Sequence, residues 1–475
     1  MSGAASAGLD SVTDPTDLAG APRSRWPLFA CVCGLLLAAA GSWLRFLWEG
    51  TLRLDTHTTP FLTSLFVSGS GLVLACVGLL KLGALPREYG VRSVLRWSVA
   101  VQCAALLAVP LTSTDVYTNL AIGMLSGRGL SPYSHLPPEL AGSPGGDQLL
   151  EVMGKRWVND PSPYGPLFTP VVRAAAFAGR AVGSPFFGAL IAFKLLLWAA
   201  VLAALAIAAG HLVRTGRADA ASTLALLGMT PLVAWELAAT GHNDALLFLS
   251  LCAFFSLAAQ GHEKRAAAVL AAGVAVKYAV APLLLLYLVL LLRGSFRRAL
   301  LAGLCALAVG LAAFAPELHD LTLQAVTPMV GGQTSRHAHS LIDLVCVALD
   351  ALSLPRASAL AFTWLSRGSG LFCAAVLGRA AWRARTLSQL GRGWLEFLFA
   401  LYLTAPWFHP WYLCWALPAL LVEEDAGWRS LVGTYAALQA ALWIAPLDPV
   451  TNVALNGWAL VRLRGLWRAQ RATST

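Results

Sequence analysis

Apolar runs of roughly twenty residues, separated by short polar or charged stretches, organise most of the chain. A hydrocarbon core about 30 Å thick is crossed by a helix of about 20 apolar residues. The runs near 26–47, 61–82, 95–112, 185–211, 219–239, 243–260, 266–292, 296–315, 340–354, 357–379, 391–408, 410–423 and 428–446 therefore predict membrane spans. Two of them fit less simply. Basic clusters flank 266–292 on both sides, so this run either crosses once or goes up and returns with a break at Pro282, where a proline interrupts a helix. The 340–354 run is short enough to dip in from one side, and a further apolar stretch near 449–461 is weak. The expected fold is all-α, a polytopic helical bundle of 11–13 spans with juxtamembrane helices on the outer side.

Composition agrees with this pattern. Apolar residues make up 57% of the 475 positions and charged residues 12%, against about 25% charged in soluble domains. That excludes a soluble enzyme, a disordered chain and a nucleic-acid binder, although the net charge is +10. The nine cysteines all lie in apolar runs, with no C-x-x-C pair, and read as small buried hydrophobes. Lys and Arg set the orientation, because cytoplasmic segments are enriched in them. With the N-terminus inside, 22 basic residues fall on the inner side, seven on the outer side and five in or beside spans. The chain divides into a cytoplasmic tail over 1–25 with no cleaved signal, a membrane unit over 26–461 and a basic cytoplasmic tail over 462–475. Seven of the nine histidines fall on the outer side. They would either bind a metal or hydrogen-bond within a polar cavity, and the absence of an H-x-x-x-H pair favours the cavity.

The longest interruption of the apolar pattern is the outer segment 112–184. Asp115 follows the end of a span, with Thr114 as a plausible N-cap. Asp115 and Asn119 lie one turn apart, and Val116, Leu120 and Met124 line a neighbouring face, so 115–127 predicts an amphipathic helix in the interface plane. Gly127 and Gly129 end it, and Ser131-Pro132-Tyr133 turns the chain. A loop follows over 134–160, and P-S-P-Y-G-P-L (161–167) opens a second helix over 166–182. Asp115 either caps its helix and faces water or marks a functional site, the default reading for an ionisable residue at a membrane boundary.

The ordered set D-x-Y at Asp115, G-x-G-L-S-P-Y ending at Tyr133, P-S-P-Y-G-P-L with Tyr164, G-H-N-D at 241–244, V-K-Y around Lys277 and H-P-W-Y at 409–412 resembles a known family. It is similar to the polyprenol-phosphate-mannose-dependent α-mannosyltransferases of the GT-C superfamily, particularly the actinobacterial α-1,6-mannopyranosyltransferases, over about residues 95–425. The resemblance implies that Asp115 is the catalytic base and that 115–127 and 166–182 are the juxtamembrane helices. It also implies a lipid-linked sugar donor on the outer leaflet and no bound nucleotide. This chain departs from the simplest arrangement by placing two spans, not one, before the span that leads into the outer loop.

Other constellations fall on the same side. Tyr117, Asn119, Tyr133 and Tyr164 belong to the loop motifs and are expected to bind substrate with them. His242, Asn243 and Asp244 either cap a helix or bind sugar hydroxyls and orient Asp115. Lys277, a charge within an apolar run, needs a partner: a protein carboxylate, or the phosphate of the donor. His409, Trp411 and Tyr412 either form part of an aromatic belt or line a donor or acceptor pocket. Arg336 is a candidate second phosphate ligand. A polyprenyl phosphate leaves already charged, so Lys277 and Arg336 could replace a metal; if an ion is used, Asp115 and Asp244 are its expected ligands.

The expected function is an integral membrane glycosyltransferase that moves a hexose, mannose by resemblance, from a polyprenyl-phosphate sugar to an envelope glycan or glycolipid acceptor. Its only other partners would be membrane lipids, and it would use neither cofactor nor nucleic acid. An inverting reaction would need one base, by analogy with inverting glycosidases. The alternative is a transporter or flippase of lipid-linked sugars, which would often show inverted repeats and charges at the midplane; no repeat is visible. A structural assembly partner would not need the outer polar clusters. The orientation is directly testable: a cysteine at Ser143 in a thiol-blocked background should react with an impermeant reagent in intact cells, whereas labelling only after lysis would invert the topology.

Overall fold

The computed structural model describes residues 25–54, 58–83, 89–153, 157–317, 337–442 and 448–472. Arg336 lies outside them. The fold is a polytopic helical bundle. Among the described residues no strand occurs, only an isolated bridge between Ala338 and Trp407. Six helical stretches are long and apolar enough to cross a membrane: Trp26–Glu49, Thr59–Leu82, Phe187–Thr215, Ala220–Ala239, Phe296–Phe314 and Pro355–Arg383. Shorter apolar helices fill the space between them.

Helices α1 (Trp26–Glu49) and α2 (Thr59–Gly83) pack as a close pair because small residues face each other. A Cβ on Gly34 would lie 2.5 Å from the Gly71 carbonyl oxygen, and one on Gly41 would lie 2.6 Å from the Ser68 nitrogen. Such stripes let apolar helices gain dispersion energy inside lipid, where no hydrophobic drive exists between them. Helix α3 (Val91–Leu106) is shorter than its apolar run, ending ahead of Pro110. The carbonyls freed there are taken by Lys194, which reaches in from α7 (Phe187–Thr215) and donates to Leu106 O at 3.1 Å and to Ala108 O. A cation at a helix C-terminus also opposes the helix dipole, which accounts for one charge inside a span.

Several expected spans are broken where the site lies. The 219–239 run forms α8 (Ala220–Met229), breaks at Thr230–Pro231, and closes with a π-helical turn over Ala234–Ala239. The 266–292 run forms α11 (Glu263–Val276) and α12 (Ala281–Gly294), with Lys277 extended between them at φ −154°, ψ 123°. The break thus falls before Pro282, which sits in the first turn of α12, where its missing N–H costs nothing. Inside a membrane the carbonyls exposed by such a break need donors. The P-S-P-Y-G-P-L loop supplies them: Gly165 N donates to Val276 O at 2.9 Å and Leu167 N to Ala275 O at 3.0 Å. Only glycine fits there, because a Cβ on residue 165 would lie 2.2 Å from the Ala275 oxygen.

Two expectations are corrected. The 410–423 run is not an α-helix but two 3-10 segments, Pro410–Trp415 and Leu417–Leu421, each opening on a proline in its first turn. The weak stretch near 449–461 is part of one helix, Asp448–Ala472. Helix α4 (Asp115–Ser126) forms as expected, but its apolar face is covered by protein and not left for lipid: it is buried along Val116, Tyr117 and Asn119–Leu125. It packs on α6 (Phe168–Ala181) so closely that a Cβ on Gly123 would lie 2.3 Å from Val172 O. The exposed amphipathic helix is α6 itself.

Candidate active site

Asp115 opens α4, and its backbone N–H is accepted by Ser113 Oγ at 3.2 Å, while Thr114 holds the N-cap position without a side-chain bond. The Asp115 carboxylate is not spent on capping. It lies 3.6 Å from His242 Nδ1, and the far ring nitrogen, Nε2, lies 3.2 Å from Glu236 Oε2 on the π-helical turn. Both are close approaches without hydrogen-bond geometry. Glu236 is fully buried; Thr240 Oγ1 lies 3.3 Å from its Oε2. Gly241, at φ +79°, makes the left-handed turn that delivers His242. The His242 ring stacks on Trp411 at 3.9 Å, and Trp411 stacks on His409 at 4.1 Å.

Across the cavity Lys277 stands at the helix break. Its Nζ donates to both oxygens of Asp244 at 3.0 Å, and Trp415 Nε1 donates to Asp244 Oδ1 at 2.6 Å. The ammonium also lies over the rings of Tyr412 and Trp415, 5.1 and 5.2 Å from their centroids. Of the two partners open to it from sequence, Lys277 has the protein carboxylate. Asp244 begins α10 (Asp244–Ala259), but neither it nor Asn243 caps that helix through its side chain. One of the two carboxylates that could have held an ion is thus committed to Lys277.

A narrow cavity of about 40 Å³ joins these groups; Asp115, Thr118, Tyr164, Lys277, His409 and Tyr412 are on its wall. A wider groove of 270 Å³ continues past Lys277 and Tyr412 between Tyr278, Leu401, Ala405 and Phe408. Burial, and then the carboxylates of Asp115 and Asp244, push the Tyr164 phenol well above its ordinary value, so it stays a proton donor. Trp411 and His409 are buried, at 4% and 8% exposure, and so do not form a lipid-facing belt.

The structure thus brings Asp115, Tyr164, Lys277, His409, Trp411 and Tyr412 to one cavity, with His242 and Asp244 directly behind it. It does not bring Tyr117, Asn119, Tyr133 or Asn243 there. Tyr117 and Asn119 point into the protein because α4 is enclosed on several sides. Tyr133 acts one step away: its hydroxyl donates to Tyr164 O at 3.1 Å. Asn243 is buried and its amide nitrogen has no partner. Glu236 and Trp415 were not singled out from sequence. The signal for Glu236 was present, a carboxylate inside an apolar run; nothing in the pattern marked Trp415.

Helix α10 separates this site from the other end of the bundle. Ser256, twelve residues and about 18 Å beyond Asp244, bonds Arg214 at 3.2 Å. The basic residues there are tied into ion pairs, Arg217 with Asp219 at 2.6 Å and Arg392 with Glu423 at 2.9 Å. A membrane bundle whose polar side chains gather in an aromatic-walled cavity at one end has the layout of an enzyme that works at a lipid surface. Residues 28–294 match the family model described as alpha-(1->6)-mannopyranosyltransferase, N-terminal domain, and the chain belongs to that family. It is 28% identical over 413 residues to alpha-(1->6)-mannopyranosyltransferase A of Mycobacterium tuberculosis, covering 79% of this chain and 73% of the relative. It is 27% identical over 159 residues to alpha-(1->6)-mannopyranosyltransferase B of Corynebacterium glutamicum, covering 34% of this chain and 25% of that one. No solved structure matches the chain. Family membership supports a mannosyltransferase function.

The buried pair is testable by a double-mutant cycle. Removing one member strands the other charge, which costs about 3–5 kcal/mol. Lys277→Met and Asp244→Asn should each lower the unfolding midpoint in detergent, and the double variant should cost clearly less than the two together. Additive losses would show that the two side chains are not coupled.

Proposed function

We propose that the chain transfers mannose from a polyprenyl-phosphate sugar to an envelope glycan or glycolipid acceptor, at the outer side of the membrane, with inversion. Mannose follows the relatives' names. The outer placement follows the charge count of 22 against seven. The observation that carries the reading is that Asp115 and Lys277 are both on the wall of one cavity. A sugar phosphate needs a base at the acceptor hydroxyl and a charge to hold the departing phosphate.

Asp115 is the base in this reading. The acceptor oxygen attacks the anomeric carbon, its proton passes to Asp115, and the bond to the phosphate oxygen breaks with the electron pair leaving on the phosphate. A β-linked donor attacked in line gives an α product. Lys277 has three ammonium protons, and Asp244 engages it through two oxygens. A proton directed into the cavity can meet the phosphate without breaking that pair, and no metal is required. The groove past Lys277 would take the start of the prenyl chain. His242, fixed by Glu236 and the Trp411 stack, is a positioning residue that spreads the charge Asp115 gains or loses. Arg336 remains a candidate second phosphate ligand on sequence alone.

Asp115→Asn tests the assignment. Loss of a general base costs about 10²–10⁴-fold in rate, whereas replacing a first-turn carboxylate costs a helix about 0.3–1 kcal/mol. Normal expression, near-normal donor binding and almost no transfer are expected. Near-wild-type transfer by Asp115→Asn would overturn the assignment; loss in Asp244→Asn would not relocate the base, because that change strands the Lys277 charge.

A further inference from the structure

A second cavity, of about 350 Å³, lies between the C-terminal end of α4 and the outer half of α6, away from the transfer site. Arg128 and Arg180 reach it from the two helices, and Met124, Ala176, Pro144 and Pro185 give it apolar walls. Neither arginine is in an ion pair: Arg180 has no carboxylate within ion-pair distance among the described residues, and the Arg128 guanidinium donates to the backbone oxygen of Glu139, at 2.9 Å. The nearby acids are occupied elsewhere: Glu139 accepts from Leu136 N at 2.8 Å and Asp147 from Gly142 N at 2.9 Å. The Arg180 guanidinium lies over Gly127, where a Cβ would come within 2.8 Å of Nη1 and 3.1 Å of Nη2.

The surroundings indicate what faces this cavity. Phe177 and Val182, on and just after α6, are 65% and 70% exposed, and Phe187 is 42% exposed where α7 begins its 29-residue candidate span. Large apolar side chains left bare beside arginines are the pattern of a membrane interface, where rings and methyls enter the acyl boundary and guanidinium groups stay at headgroup depth. Two guanidinium groups at one pocket provide fork-shaped donors for phosphate oxygens.

We propose that this cavity holds the phosphodiester headgroup of an anionic phospholipid from the leaflet that α6 lies against. Met124 and Ala176 contact the glycerol region, and Arg128 and Arg180 take the phosphate oxygens. The site is separate from the transfer chemistry and anchors the α4–α6 pair, whose first residue is Asp115.

The test is lipid retention by the purified full chain, read by native mass spectrometry from detergent containing equal phosphatidylglycerol and phosphatidylcholine. The wild-type chain should retain phosphatidylglycerol preferentially. Arg180→Gln, an exposed change with no protein partner to lose, should reduce that preference at least about tenfold, as expected for loss of a charge-assisted hydrogen bond to phosphate. Arg173→Gln removes the same charge from the same helix outside the cavity and should cost no more than about fivefold, the diffuse attraction of one basic residue. An equal loss in Arg173→Gln would reduce the effect to diffuse attraction and overturn the site. Equal retention of both lipids by the wild-type chain would do the same. Displacement of phosphatidylglycerol by millimolar inorganic phosphate would assign the cavity to a soluble anion instead.

Discussion

The pair between Lys277 and Asp244 is the interaction on which the site's geometry rests. A lone charge in an apolar bundle is expensive, so the lysine must be met at a fixed place. It is met by a fully buried carboxylate held from the other side by Trp415. Lys277 stands where α11 stops, and the carbonyls that the break exposes dock the P-S-P-Y-G-P-L loop through Gly165 and Leu167. One ion pair therefore locates a helix break, and the break locates the loop that carries Tyr164 onto the cavity wall.

The opposite wall uses a different device. Glu236, His242 and Asp115 form a line from the buried π-turn to the cavity, and the His242–Trp411–His409 stack holds the imidazole from the side. Ring stacking fixes direction without spending the ring nitrogens, which stay free to face the two carboxylates. The two walls bring a carboxylate, Asp115, and an ammonium group, Lys277, to one space of about 40 Å³.

Much of the bundle was legible from apolar runs, because lipid makes helix the economical solution for each of them. All six long stretches lie within four residues of the runs at 26–47, 61–82, 185–211, 219–239, 296–315 and 357–379. The pattern failed where protein, not lipid, surrounds a segment. Helix α4 looks amphipathic by its Asp115–Asn119 face, but Asn119 is enclosed, so the face read as wet is largely interior. The 410–423 run has the composition of a span and the backbone of two tight turns, since its prolines at 410 and 418 forbid continuous helix. The motif residues of the site were visible as polar breaks in apolar sequence. Their pairing was not: nothing in the spacing ties Lys277 to Asp244, 33 residues away, or Glu236 to His242 across a π-turn.

The claim with most at stake is the donor. The most direct measurement is transfer by the purified full chain in detergent, comparing polyprenyl-phosphate mannose with nucleotide-activated mannose on the same acceptor extract. Transfer from the lipid donor alone, with an α-linked product, is the expected result. Transfer from the nucleotide sugar at a comparable rate would contradict it.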